Sequence, residues 1–136
     1  TYCLITYSSH NIFCMKKILF IEDEPALQTA FTDAITDSGY QTFSALDGEI
    51  GVNVAIKEMP DLILLDLILP KMDGFAVLES LKKNLETAHI PVIVLSNLGE
   101  AGDVQRAIEL GAQSYLVKTN YDLAEVIVKI RATLEE

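Results

Sequence analysis

The chain reads as an α/β domain, a doubly wound parallel sheet of five strands. Two observations predict it. Short apolar runs alternate with segments of helical period from residue 15 onward. The run Leu62–Leu65 is apolar at every position, as a parallel strand buried on both faces must be. The strict alternation of helices and strands selects a parallel sheet with right-handed crossovers over a bundle or a sandwich.

The elements follow in order. Lys17–Ile21 is the first strand. Pro25 lies in the first turn of the helix after it, where its missing N–H costs nothing. That helix runs to about Ser38 with Leu27, Ala30, Phe31, Ala34 and Ile35 on one face, and Gly39 closes it. Tyr40–Ser44 is a short second strand. Asp47 caps a second helix that carries Ile50, Val54 and Ile56 and stops before Pro60. After the third strand, Leu62–Leu65, the stretch from Leu67 to Gly74 is a Pro- and Gly-punctuated loop. The helix beyond it buries Phe75, Val77, Leu78 and Leu81. Ile90–Leu95 is the fourth strand and Asn97–Gly102 a polar loop. Val104, Ala107, Ile108 and Leu110 mark a short helix closed by Gly111. Ser114–Val117 is the fifth strand, and Leu123, Val126, Ile127 and Ile130 line the last helix.

The chain has 136 residues, enough for one domain with one core, with 20 acidic against 10 basic residues and a formal net charge of −10. Such a surface repels phosphate backbones, so direct nucleic-acid binding is not expected. No apolar stretch approaches the roughly 18 residues of a membrane span. Cys3 and Cys14, the only cysteines, make no disulfide framework, and a cytoplasmic protein is expected. Residues 1–14 read as an extension without helical or strand period, and Met15 as a natural start of the domain at 15–136. In that extension the lysines follow the apolar stretch, the reverse of an export signal. His10 and His89 have no partners at metal-ligand spacing.

The chemistry lies at the strand ends. Glu22-Asp23-Glu24 follows the first strand, Asp66 the third, Ser96 the fourth, and Lys118 the fifth. In an open parallel sheet these ends share one edge, and ligands bind in the crevice there. Three carboxylates, a hydroxyl and an ammonium would converge on one small site. Each has an ordinary reading. The acidic triplet suits a helix N-terminus, Lys118 suits an ion pair with Asp66, Ser96 suits a turn, and Tyr115 is an ordinary strand aromatic. Their coincidence at one edge favours chemistry.

These residues resemble the receiver domains of bacterial two-component response regulators. The marks are Phe20-Ile21-Glu22-Asp23-Glu24-Pro25, Asp66, Leu69-Pro70-Lys71-Met72-Asp73-Gly74-Phe75, Ser96, and Gly111-Ala112 followed by Tyr115 and Lys118. The resemblance implies the flavodoxin-like (βα)5 fold with strand order 2-1-3-4-5. It implies Asp66 as phosphoacceptor from a sensor histidine kinase or histidine phosphotransfer protein. It implies Mg2+ held by Glu22, Asp23, Asp66 and the Ile68 backbone carbonyl, with Lys118 and Ser96 on the phosphoryl group. A carboxylate is a competent nucleophile toward phosphorus, and the charge on a transferring phosphoryl group calls for cations. The resemblance further implies a switch in which Ser96 and Tyr115 move and the helix 4–strand 5–helix 5 face meets a downstream protein, as a monomer or a phosphorylation-linked homodimer. No separate substrate turnover is expected, hence no enzyme in the ordinary sense.

Two rivals stand beside this reading. One is a receiver-like module that binds partners without phosphorylation. The other is an aspartyl phosphatase of the haloacid dehalogenase type. Such an enzyme carries a second aspartate two residues after the nucleophile, where this chain has Ile68. Two residues depart from the family pattern. Thr119 replaces the proline after Lys118, where a cis bond would cost about 2.5–4 kcal/mol. Asn97 stands where a smaller residue is usual. Ile68 and Leu98, both apolar, would flank the path of a hydrolytic water, which predicts a long-lived phosphoryl group.

Overall fold

The computed structural model describes residues 4–7, 10–13, 15–96, 101–117 and 122–135. Leu4–Tyr7 (β1) and His10–Phe13 (β2) form an antiparallel hairpin, with Leu4 opposite Phe13 and Tyr7 opposite His10. The segment expected to lack regular structure therefore pairs with itself. Four-residue strands are too short for a period to stand out, and the only cue is the polar pair of residues between them. This hairpin is a separate two-stranded sheet.

The main sheet holds β3 (Lys17–Ile21), β4 (Gln41–Ala45), β5 (Leu62–Leu65), β6 (Val92–Ser96) and β7 (Ser114–Val117) in the order β4-β3-β5-β6-β7, all parallel. Counted from Lys17, that is the expected 2-1-3-4-5. The helices are α1 (Pro25–Asp37), α2 (Gly48–Glu58), α3 (Gly74–Lys83), α4 (Ala101–Glu109) and α5 (Leu123–Glu135).

Alternation along the strands divides the core. Ile18, Phe20, Leu62, Leu64, Ile93, Leu95 and Leu116 point to one face, where Phe31 and Ile35 of α1 and Val126 and Ile130 of α5 cover them. Leu19, Ile21, Ile63, Leu65, Val92 and Val94 point to the other, under α2, α3 and α4. Leu64 is fully buried, so Leu64→Ala would cost about 2–5 kcal/mol.

Several element limits move by one or two residues. β4 ends at Ala45 and β6 at Ser96, and α4 already contains Gly102. α2 departs more. Its buried residues are Gly48, Gly51 and Ala55, while Ile50 and Ile56 are exposed. The helix lies so close to the sheet that only small residues fit. A Cβ on Gly51 would come within 2.5 Å of Ile21 Cδ1. Ile50 and Ile56 therefore face outward, while Val54 packs partly buried against the core. The caps hold as expected. Asp47 accepts the Ile50 N–H at 2.8 Å, and Gly39 and Gly111 end α1 and α4 at φ of 99° and 109°, where a side chain would be strained.

Candidate metal centre

The site grows out of two adjacent strand ends. Ile21 of β3 is in register with Leu65 of β5, so Glu22 and Asp66 leave the sheet side by side. The ladder continues one step beyond β5, where the Asp66 N–H donates to the Ile21 carbonyl at 3.1 Å. On the other side of β3, the Glu22 N–H donates to the Ala45 carbonyl at 3.0 Å. Both turns are thus fixed to the sheet by main-chain bonds.

Glu22 is 1% exposed and Asp66 5%, while Asp23 faces solvent. Each offers a carboxylate oxygen, and the three oxygens lie within 4.8 Å of one another. The Glu24 N–H donates to Glu22 Oε2 at 3.3 Å, and the Ile68 N–H to Asp66 Oδ1 at 3.2 Å. Gly74 opens α3 directly against the Asp66–Leu67 backbone. A Cβ there would sit 2.6 Å from the Asp66 carbonyl oxygen, so the helix can approach only with glycine at this position.

Three carboxylates this close repel each other, and a divalent cation relieves the repulsion. The donor set is all oxygen, which suits a hard cation rather than zinc or copper. Oxygens on one six-coordinate Mg2+ lie about 3–4 Å apart, so a small contraction of this cluster fits the ion. The exposed carboxylate leaves a side open to water or a phosphate.

Ser96 ends β6 with no exposed surface. Tyr115 of β7, in register with Val94, packs partly buried against the α2–α3–α4 side of the core. Its hydroxyl shares a hydrogen bond with the Ser96 side chain. Burial raises the Tyr115 pKa above its ordinary value. Repulsion from Asp103 and Asp66 acts the same way, and the Ser96 hydrogen bond opposes it. Tyr115 is therefore turned toward the site, rather than being a strand aromatic with its hydroxyl in water. The structure brings together Glu22, Asp23 and Asp66, with Ile68 two residues on, and joins Ser96 to Tyr115. Lys118, Thr119, Asn97 and Leu98 lie outside the described residues.

Sequence reasoning missed one support of this site and one ion pair beside it. Gln28 of α1 donates to the carbonyls of Glu22 and Ala45. Lys71, at φ 66°, pairs with Asp47 at 3.4 Å across the neighbouring turns. Neither a first-turn glutamine nor a loop lysine carries a sequence signal for such a role.

The structure thus defines a parallel (βα)5 domain with an acidic cluster, suited to a hard cation, at the C-terminal edge of its sheet. Comparison with known proteins gives the family. The model of the response regulator receiver domain matches residues 18–131. The chain is 40% identical over 120 residues to the DNA-binding dual master transcriptional regulator RpaA of Synechocystis, covering 88% of this chain and 49% of that protein. It is 36% identical over 120 residues to the transcriptional regulatory protein HprR of Escherichia coli, covering 88% of this chain and 52% of that one. Among solved structures, the BeF3-activated N-terminal receiver domain of Klebsiella pneumoniae RstA superposes with a TM-score of 0.82 at 27% identity, covering 89% of this chain and all of that one. The signal receiver domain of a histidine kinase from Syntrophus aciditrophicus gives 0.80 at 31% identity, covering 88% and 90%. The chain belongs to the response regulator receiver family, the phosphorelay modules of two-component signalling. It spans about half the length of the curated relatives it matches.

Proposed function

We propose that this receiver takes a phosphoryl group on Asp66 from the phosphohistidine of a sensor histidine kinase or a histidine phosphotransfer protein. An Asp66 carboxylate oxygen attacks phosphorus. The P–N bond breaks, its electron pair stays on the imidazole, and the imidazole takes up a proton. The observation that carries the reading is the buried Asp66 carboxylate with Glu22 and Asp23 oxygens within 4.8 Å. These three, with the Ile68 carbonyl, would hold Mg2+. Bound there, the ion supplies positive charge to the phosphoryl oxygens. Lys118 would add a second cation and the Ser96 hydroxyl a hydrogen bond. The family resemblance supports both assignments.

The switch follows from the Ser96–Tyr115 pair. A phosphoryl group on Asp66 brings about −1.5 to −2 charges and new acceptor oxygens. It would draw the Ser96 hydroxyl away from Tyr115 and so re-aim the tyrosine on β7. The face formed by α4, β7 and α5 would then meet a downstream protein or a second copy of the chain. The reading has the receiver work in the cytoplasm and turn over no separate substrate. No described helix is long and apolar enough to cross a membrane. RpaA is named as DNA-binding. With a net charge of −10, this chain is itself a poor match for a phosphate backbone.

Acetyl phosphate treatment followed by mass spectrometry tests the proposal. The wild type should gain one phosphoryl group in a Mg2+-dependent manner and Asp66→Ala none. Equal labelling of the two would reject Asp66. A wild type that takes no phosphate yet binds partners would restore the phosphorylation-independent rival.

A further inference from the structure

Gln28 sits in the first turn of α1, outside the acid cluster, yet it bonds both the turn that follows β3 and the last residue of β4. Its Nε2 donates to the Glu22 carbonyl at 3.2 Å and the Ala45 carbonyl at 2.9 Å. Both partners are acceptors, so only the amide nitrogen can serve them, and the orientation of the amide group is fixed. The Ala45 carbonyl also accepts the Glu22 N–H at 3.0 Å. Glu22 is thus gripped at its N–H by β4 and at its carbonyl by Gln28.

That carbonyl belongs to the peptide joining Glu22 to Asp23, the two acidic residues whose oxygens meet Asp66. If this peptide turned, the exposed Asp23 carboxylate would swing out of the cluster. The Gln28 bonds do not cap the helix, because a cap satisfies free N–H groups and both acceptors here are carbonyls outside α1. Their effect falls on the turn.

We infer that Gln28 is a positioning residue for the cation site. It locks the Glu22–Asp23 peptide plane so that the carboxylates converge on one ion. The inference rests on reading the acid cluster as a Mg2+ site. It assigns Gln28 the outer-layer role that orients metal ligands elsewhere, exerted here through the backbone.

The test is Mg2+ titration by calorimetry of the full chain as wild type, Gln28→Ala and Gln28→Met, with the metal-free Tm of each as a check on the fold. Methionine keeps the bulk and helix propensity of glutamine but has no donor. Both variants should bind Mg2+ about tenfold more weakly with a metal-free Tm close to the wild type's. Because Gln28 acts through Asp23, adding Gln28→Met to Asp23→Ala should weaken binding little further. Wild-type affinity in either variant overturns the inference, as does full additivity in the double variant. A wild type that binds no Mg2+ overturns the cation site itself along with it, whereas a binding wild type with unaffected variants removes only the role of Gln28.

Discussion

Asp47 and Asp66 both sit just past the ends of sheet strands, β4 and β5, and both are nearly buried, at 6% and 5% exposure. Their described neighbours differ. Asp47 accepts the Ile50 N–H at 2.8 Å and faces the Lys71 ammonium at 3.4 Å. Its carboxyl is held below the usual carboxylate range, by the Ile50 N–H first and by Lys71 as well, against the opposing effect of burial. Asp66 accepts the Ile68 N–H and has the carboxylates of Glu22 and Asp23 beside it. Burial of a charge therefore does not mark a reactive site by itself. A buried carboxylate already matched by a cation and a helix N-terminus stabilises the fold. One whose oxygens lie within 4.8 Å of other carboxylates offers donors that a divalent cation can share.

The largest expected effect separates these two residues outright. Asp66→Asn should abolish phosphorylation from acetyl phosphate while the metal-free Tm stays at or above the wild type's, because one of three crowded like charges is removed. Mass spectrometry and a thermal melt measure both. Phosphorylated Asp66→Asn protein would move the nucleophile elsewhere, and a large drop in Tm would put Asp66 in the same class as Asp47.

Next in size is the metal. Asp23→Ala should weaken Mg2+ by at least about tenfold, since it removes a charged ligand from a site that has few. Calorimetric titration would detect it, and an unchanged affinity would break the three-carboxylate cage. Asp47→Ala should do the reverse of both. It should leave Mg2+ affinity and phosphorylation near wild type and lower the Tm, through loss of the α2 cap and of the link to Lys71. A variant that melts normally but loses Mg2+ would erase the distinction between the two aspartates.

Much of this contrast was legible before any coordinates. Four buried residues ending in Asp66, and an acidic triplet just past the end of the first strand of the main sheet, follow from the period of the strands and the rule that parallel strand ends share one edge. The α2 face was not legible. Its approach to Ile21 is set by the absence of side chains at Gly48 and Gly51, and periodicity counts only the side chains that are present. The roles of Gln28 and Lys71 were hidden for a related reason. Gln28 acts through backbone carbonyls and Lys71 through the capping carboxylate of another helix, and no local side-chain pattern records such partners. The β1–β2 hairpin escaped because two four-residue strands carry too few residues to declare a period.

The smallest effect concerns the link between Asp47 and Lys71, which ties the turn after β4 to the loop after Asp66. Lys71 is well exposed, so water and salt screen its charge and the pair adds little at neutral pH. Lys71→Ala should shift the Tm by only about two degrees near pH 7. The acid limb should be more telling. The Asp47 pKa is depressed in the folded state, so its stabilising contribution is complete above the unfolded value and disappears as pH falls through the lower folded value. Without Lys71 the folded value rises toward the unfolded one, and acid unfolding should begin at a slightly higher pH. The change should be modest, because the Ile50 N–H remains the larger cause of the depression. Melts of the wild type and Lys71→Ala across about pH 6 to pH 3 would measure it. An acid midpoint that moves to lower pH in Lys71→Ala would mean that the lysine does not stabilise the ionised Asp47, and that the helix cap alone holds its carboxyl low.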